Sequence, residues 1–262
     1  MLVKIVAFQG QMGRPLSLDE KILIFKQRPD FVCLPEYFQL DDSVDDFQRA
    51  ALMRNDHLEY LTRLSEELDT CVIGGTLVDA IGDCLYNTCY VINRGRCVGR
   101  YRKRYPVENE QRRGISAGDE TVVVLVDGVR IGLMICGDVF NPVMYDELRQ
   151  KDADLIVIPT TSPYREHDTV SDKTQRDRQY FLDGARRSGT VVIKVCGVGQ
   201  LFGKPLQGRS LIAAPWGLMK RVDYANESKV RLLSATIAID EVREFRRRQP
   251  ATVSSVASRT EQ

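Results

Sequence analysis

Histidine is almost missing from this sequence: of 262 residues only His57 and His167 carry an imidazole. No Cys-x-x-Cys or His-x-x-x-His spacing accompanies them, so a zinc site has little to be built from, and neither a metal nor another cofactor is expected. Ser-His-Asp catalysis is disfavoured for the same reason, because His57 falls on a helical pattern and His167 in a polar loop. An excess of one charge is also lacking. Lys and Arg total 37 against 36 Asp and Glu, a net charge of +1, which leaves no global field to gather nucleic acid or anionic membranes. No apolar run approaches the roughly 18 residues of a membrane span, and the start, Met1 to Gln9, has no basic segment leading into a long apolar one. The seven cysteines (Cys33, Cys71, Cys84, Cys89, Cys97, Cys136 and Cys196) form no regular framework and are odd in number. They read as reduced thiols, and the expected location is cytoplasmic.

What is present is material for one sizeable core, with 43% hydrophobic residues. Residues 1–249 are expected to form a single domain and 250–262 a tail, poor in apolar groups, that is either disordered or lies across a partner subunit. Leu2 to Gln9 has the composition of a buried strand, and Ser17-x-x-Glu20 supplies a capping box for a helix to about Gln27. Asp30 to Pro35 repeats the strand signal. His57 to Leu68 is helical in pattern, and Cys71 to Val78 is a strand. Two hairpins follow, Leu85–Ile92 with Cys97–Tyr101 across Asn93-Arg94-Gly95, and Thr121–Val126 with Val129–Ile135 across Asp127-Gly128. Asn141-Pro142 opens a helix to about Lys151, and Asp172 to Ser188 predicts another. Strands are expected at Leu155–Ile158, Thr190–Cys196, Ser210–Ala213, Leu218–Val222 and Leu232–Ile239. Helices alternating with strands and hairpins indicate an α/β fold with mixed sheets, economically two sheets face to face with helices outside.

Three polar residues each stand at the end of an apolar strand: Glu36, Lys103 and Cys136. Strand ends are where α/β sites are assembled. A thiol with an ordinary pKa near ~8.5 is mostly protonated at neutral pH and needs a base to become a nucleophile. Glu36 is a candidate for that base. Lys103 would hold the oxyanion of a tetrahedral intermediate, with the backbone N–H of Gly137 as a second donor. Gly137 also permits a sharp turn between strand and helix.

In this chain order the residues resemble the Glu-Lys-Cys triad of the nitrilase superfamily of carbon–nitrogen hydrolases. Leu34-Pro35-Glu36, Tyr101-Arg102-Lys103 and Ile135-Cys136-Gly137-Asp138 are similar to its three motifs, and Gly208-Arg209-Ser210 running to Pro215-Trp216-Gly217 is similar to a fourth. The resemblance covers essentially the whole chain. It implies a four-layer α-β-β-α sandwich, and a further glutamate beside the lysine, Glu110 or alternatively Glu108. With Gly137, Asp138 is assigned to the substrate and oxyanion side of the site. The implied reaction is hydrolysis of a small amide through a cysteine thioester, releasing ammonia or an amine.

Departures from the resembling family bear on the substrate. Gly137-Asp138-Val139-Phe140 stands where many members have an aromatic followed by Asp, and Leu182 to Ser188 does not reproduce a frequent Arg-Ala-x-Glu-Asn helix. N-carbamoyl amino acid hydrolysis, nitrile hydrolysis, acyl transfer to an amine and a catalytically silent binding relative therefore stay open. The resemblance further implies a homodimer or higher homo-oligomer, with the helix from Asn141 to Lys151 and the C-terminal segment at the interface.

Overall fold

Strand β1 (Leu2–Gln9) carries the logic of the architecture in its alternation. Val3, Ile5 and Ala7 are buried in one apolar core and Val6 and Phe8 in another, so the sheet they belong to is covered on both faces. The computed structural model describes residues 1–44 and 46–249; the expected tail from Pro250 to Gln262 lies outside them. β1 sits in a seven-stranded sheet with β2 (Phe31–Cys33), β3 (Cys71–Ile73), β4 (Leu77–Ile81), β5 (Cys84–Asn93), β6 (Arg96–Arg102) and β15 (Arg231–Ala238). A second, six-stranded sheet holds β7 (Val123–Val126), β8 (Val129–Leu133), β9 (Leu155–Thr160), β10 (Val191–Cys196), β13 (Leu211–Ala214) and β14 (Gly217–Arg221). A separate hairpin pairs β11 (Gly199–Leu201) with β12 (Lys204–Leu206).

The larger core joins the two sheets, with Ile5, Cys33, Ile73 and Val91 from the first and Ile131, Val157, Ile193 and Leu211 from the second. On the far side of the first sheet, Ile24 of α1 (Leu18–Lys26) and Leu61 and Leu64 of α3 (Arg54–Glu67) pack against Val6, Val32 and Val72. On the far side of the second lie Met144 and Leu148 of α5 (Val143–Gln150) and Ala185 of α7 (Asp183–Ser188). This is the expected helix–sheet–sheet–helix order. No helix among the described residues is long and apolar enough to cross a membrane.

Strand directions set where chemistry can gather. β6 is antiparallel to β5, which is antiparallel to β3, and β3 is parallel to β2; β2 and β6 therefore end at the same edge. β8, β9 and β10 are parallel to one another and also share an edge.

Several elements differ from expectation for local reasons. The strand expected over Cys71 to Val78 is cut at Gly74-Gly75, where Gly75 has φ +69° and a side chain would meet the Pro35 carbonyl oxygen at 2.0 Å. The helix expected over Asp172 to Ser188 is α6 (Val170–Asp177), a π-helical turn at Arg178–Leu182, then α7; the wide turn leaves its helical course unbroken. The short helices α2 (Phe47–Leu52) and α4 (Glu108–Arg112) and the terminal α8 (Ile239–Arg248), which buries Ile239 and Val242, were not among the expected elements. His57 is buried on α3, not a surface residue, whereas His167 is exposed.

Candidate active site

Glu36 follows β2 by two residues past Leu34, whose N–H still pairs with the Ile73 carbonyl. The break at Gly75 lets this segment lie tight against β3, and Thr76 Oγ1 accepts from the N–H of Tyr37, which is held at φ +53°. A non-glycine residue in the left-handed region is costly and persists only where its surroundings impose it. The effect is to turn the Glu36 carboxylate inward, where it is 1% exposed. Its Oε1 accepts from Lys103 Nζ at 2.9 Å and Asn87 Nδ2 at 2.9 Å. Its Oε2 accepts from the Thr161 N–H at 2.9 Å and Oγ1 at 2.6 Å.

Lys103 continues the line of β6, its N–H on the Asn87 carbonyl. Its ammonium lies between two carboxylates, 2.9 Å from Glu36 and 2.6 Å from Glu110 Oε2. Burial opposes the charge of Lys103, but Glu36, Cys136 and Glu110 outweigh it and hold the ammonium above its usual range. Glu110 sits on α4, where its Oε2 also accepts from the Val107 N–H and its Oε1 from Tyr37 Oη and Asn87 Nδ2 at 2.8 Å each. Burial works against that carboxylate, while Lys103, Tyr37 and the Val107 N–H keep it below the usual range. Of the two glutamates left open by the sequence, Glu110 faces the lysine. Glu108 is exposed and pairs with Arg112 on its own helix.

Cys136 opens a 3-10 turn, Cys136–Phe140, directly after Met134-Ile135, the two residues that follow β8. At the sharp turn expected around Gly137, the left-handed residue is the cysteine itself, at φ +40°. Gly137 is needed for closeness instead: a side chain there would meet Val107 Cγ1 at 2.5 Å and come 3.8 Å from Lys103 Cε. Its N–H lies in the first turn, where such groups have no partner within the turn. The Cys136 Sγ contacts the Thr161 carbonyl oxygen at 3.3 Å as a donor. Burial, then the Glu36 charge, push this thiol well above the usual cysteine range, with Lys103 offsetting only part.

Asp138 departs from the role expected of it. Its Oδ1 accepts from the Tyr105 N–H at 2.9 Å, and its Oδ2 from Tyr101 Oη at 2.7 Å and the Ile135 N–H at 2.8 Å. These bonds engage both oxygens in tying the cysteine turn to the end of β6, an arrangement that suits a residue positioning the lysine and cysteine segments. Asp138→Asn would set amide hydrogens against one of these donors, and a loss of about 2 kcal/mol in urea unfolding is expected. Unchanged stability would contradict the positioning role.

Sequence reasoning missed Asn87, Thr161 and Tyr37. Asn87 is a polar residue inside the strand β5, and Thr161 follows directly on the end of β9; those positions were the available signals.

Comparison with known proteins adds family membership to this geometry. A glutamine-dependent NAD(+) synthetase from Xanthomonas campestris is 30% identical over 137 residues, 50% of this chain but 24% of that protein. The match thus spans about a quarter of that relative. A carbon-nitrogen hydrolase from Helicobacter pylori superposes with a TM-score of 0.82 at 17% identity, covering 96% of this chain and 94% of the other. An amidase from Nesterenkonia sp. superposes at 0.75 with 18% identity and 92% of both chains covered; at such identities these likenesses show the fold. The family model described as carbon-nitrogen hydrolase matches residues 13–247, and the chain belongs to that family.

Proposed function

We propose that this chain hydrolyses the carbon–nitrogen bond of a small linear amide through a thioester on Cys136. The observation that carries the reading is the convergence of a buried carboxylate, an ammonium and a half-buried thiol, linked through Glu36, Lys103 and Thr161. Glu36 takes the thiol proton as Sγ attacks the carbonyl carbon. The carbonyl electrons move to oxygen, where Lys103 and the Gly137 N–H stabilise them. Glu36 returns the proton to the leaving nitrogen, and ammonia or an amine departs. Water then gives its proton to Glu36 and attacks the thioester, releasing the acid and the thiol. Glu110 holds Lys103 charged and in place. Two carboxylates against one ammonium leave the resting site with an excess negative charge, which favours an uncharged reacting group.

The test is ammonia release across primary amides, N-carbamoyl amino acids and nitriles, before and after exhaustive chelation. Turnover of an amide that survives chelation is expected. Turnover of nitriles or carbamoyl compounds alone, or activity lost with a metal, would contradict the reading. We propose as well that the chain forms a homodimer through the face of Phe140 and Val143, which are 58% and 48% exposed. Light scattering at micromolar concentration checks this, and a fully active monomer would contradict it.

A further inference from the structure

Glu36 has no free place to receive a proton. A carboxylate offers about four lone-pair sites, and all four are taken: Lys103 Nζ and Asn87 Nδ2 on Oε1, and the N–H and hydroxyl of Thr161 on Oε2. The thiol of Cys136 is meanwhile aimed at the Thr161 carbonyl, 3.3 Å away. One residue therefore occupies the base and diverts the nucleophile's proton.

We propose that Thr161 is a positioning residue that keeps Glu36 closed to the Cys136 thiol until its hydroxyl turns away; the inference rests on the reading of Glu36 as the base. Of the four donors, only this hydroxyl can leave by a simple rotation. The Thr161 N–H belongs to the backbone leaving β9, Lys103 is held between two carboxylates, and the Asn87 amide is shared by the same two. When the hydroxyl swings off Oε2, the S–H can turn from the Thr161 carbonyl to the vacated site. The S–H bond then breaks as an O–H bond forms on Glu36, the sulfur pair forms the S–C bond to the substrate carbonyl, and the π pair moves to its oxygen. The upward push that burial gives the Cys136 thiol agrees with this arrangement.

The experiment follows iodoacetamide alkylation of Cys136 at pH 7 by peptide mass spectrometry in the full chain, with buried Cys33 as an internal control for loosening. Thr161→Val removes the hydroxyl but keeps the N–H, the carbonyl and the shape. Alkylation of Cys136 is expected to accelerate about tenfold, the scale of one net hydrogen bond, with Cys33 unlabelled. Thr161→Ser restores the hydroxyl and is expected to react at the wild-type rate. Should the valine variant fold poorly, Thr161→Ala carries the same expectation. A hydroxyl-free variant that reacts no faster than wild type, or faster only as Cys33 becomes labelled, overturns the inference. Glu36→Gln separates the two ideas: if it slows alkylation while Thr161→Val has no effect, the inference alone fails, and if it reacts like wild type, the base assignment fails with it.

Discussion

Replacing Cys136 by alanine is expected to bring amide turnover to background, and Glu36→Gln to lower kcat by at least about a hundredfold, the usual scale for a general base. Both proteins should fold. The alanine removes a half-buried sulfur whose one hydrogen bond is to a backbone carbonyl. The glutamine keeps the shape of Glu36 and leaves Lys103 paired with Glu110. Because Oε1 and Oε2 each accept two hydrogen bonds, glutamine must set its amide hydrogens against donors at one end, and a modest loss of stability accompanies the kinetic one. Steady-state ammonia release and thermal melting measure the two effects. Near-normal single-turnover acylation in Glu36→Gln would remove the carboxylate from the chemistry.

Lys103→Leu is expected to combine two losses. The kinetic one is at least about a hundredfold in kcat, as for removal of an oxyanion donor. The second is visible only in the structure: the lysine is 1% exposed and is the cation between Glu36 and Glu110. Without it two buried carboxylates face each other across the Asn87 amide, a situation costing on the order of 3–5 kcal/mol. One of them has to take up a proton on folding, so the stability of this variant should rise as pH is lowered. Adding Glu110→Gln should recover part of the stability but none of the rate. Urea unfolding at several pH values and kcat for both variants check this. A Lys103→Leu protein as stable as wild type at pH 7 would show that the carboxylates do not depend on the lysine charge.

The strand ends that carry the candidate residues were legible because strand-like runs stop at Pro35-Glu36, Arg102-Lys103 and Ile135-Cys136. Side-chain partnership was not. Glu108 and Glu110 stand two apart on one short helix, and only the capping bond from the Val107 N–H and the approach of Tyr37 turn Glu110 toward Lys103. Asp138 looked like a substrate group because it neighbours the cysteine, yet the 3-10 turn points its carboxylate at Tyr101 and Tyr105. The left-handed backbone at Cys136 also escaped the sequence: the glycine beside it signalled the turn that is there, but not that the cysteine would take the positive φ while the glycine admits the close approach of Val107 and Lys103. Asn87 lies in β5 of one sheet and Thr161 just past β9 of the other, and their meeting at Glu36 depends on how the two sheets are stacked.

The most direct measurement is mass spectrometry of the enzyme quenched during turnover of an amide substrate. Acylation of the peptide containing Cys136, forming and decaying at rates that match ammonia release, is the predicted result. Turnover with no adduct there, or with the acyl group on another cysteine such as Cys84 or Cys97, would contradict the account.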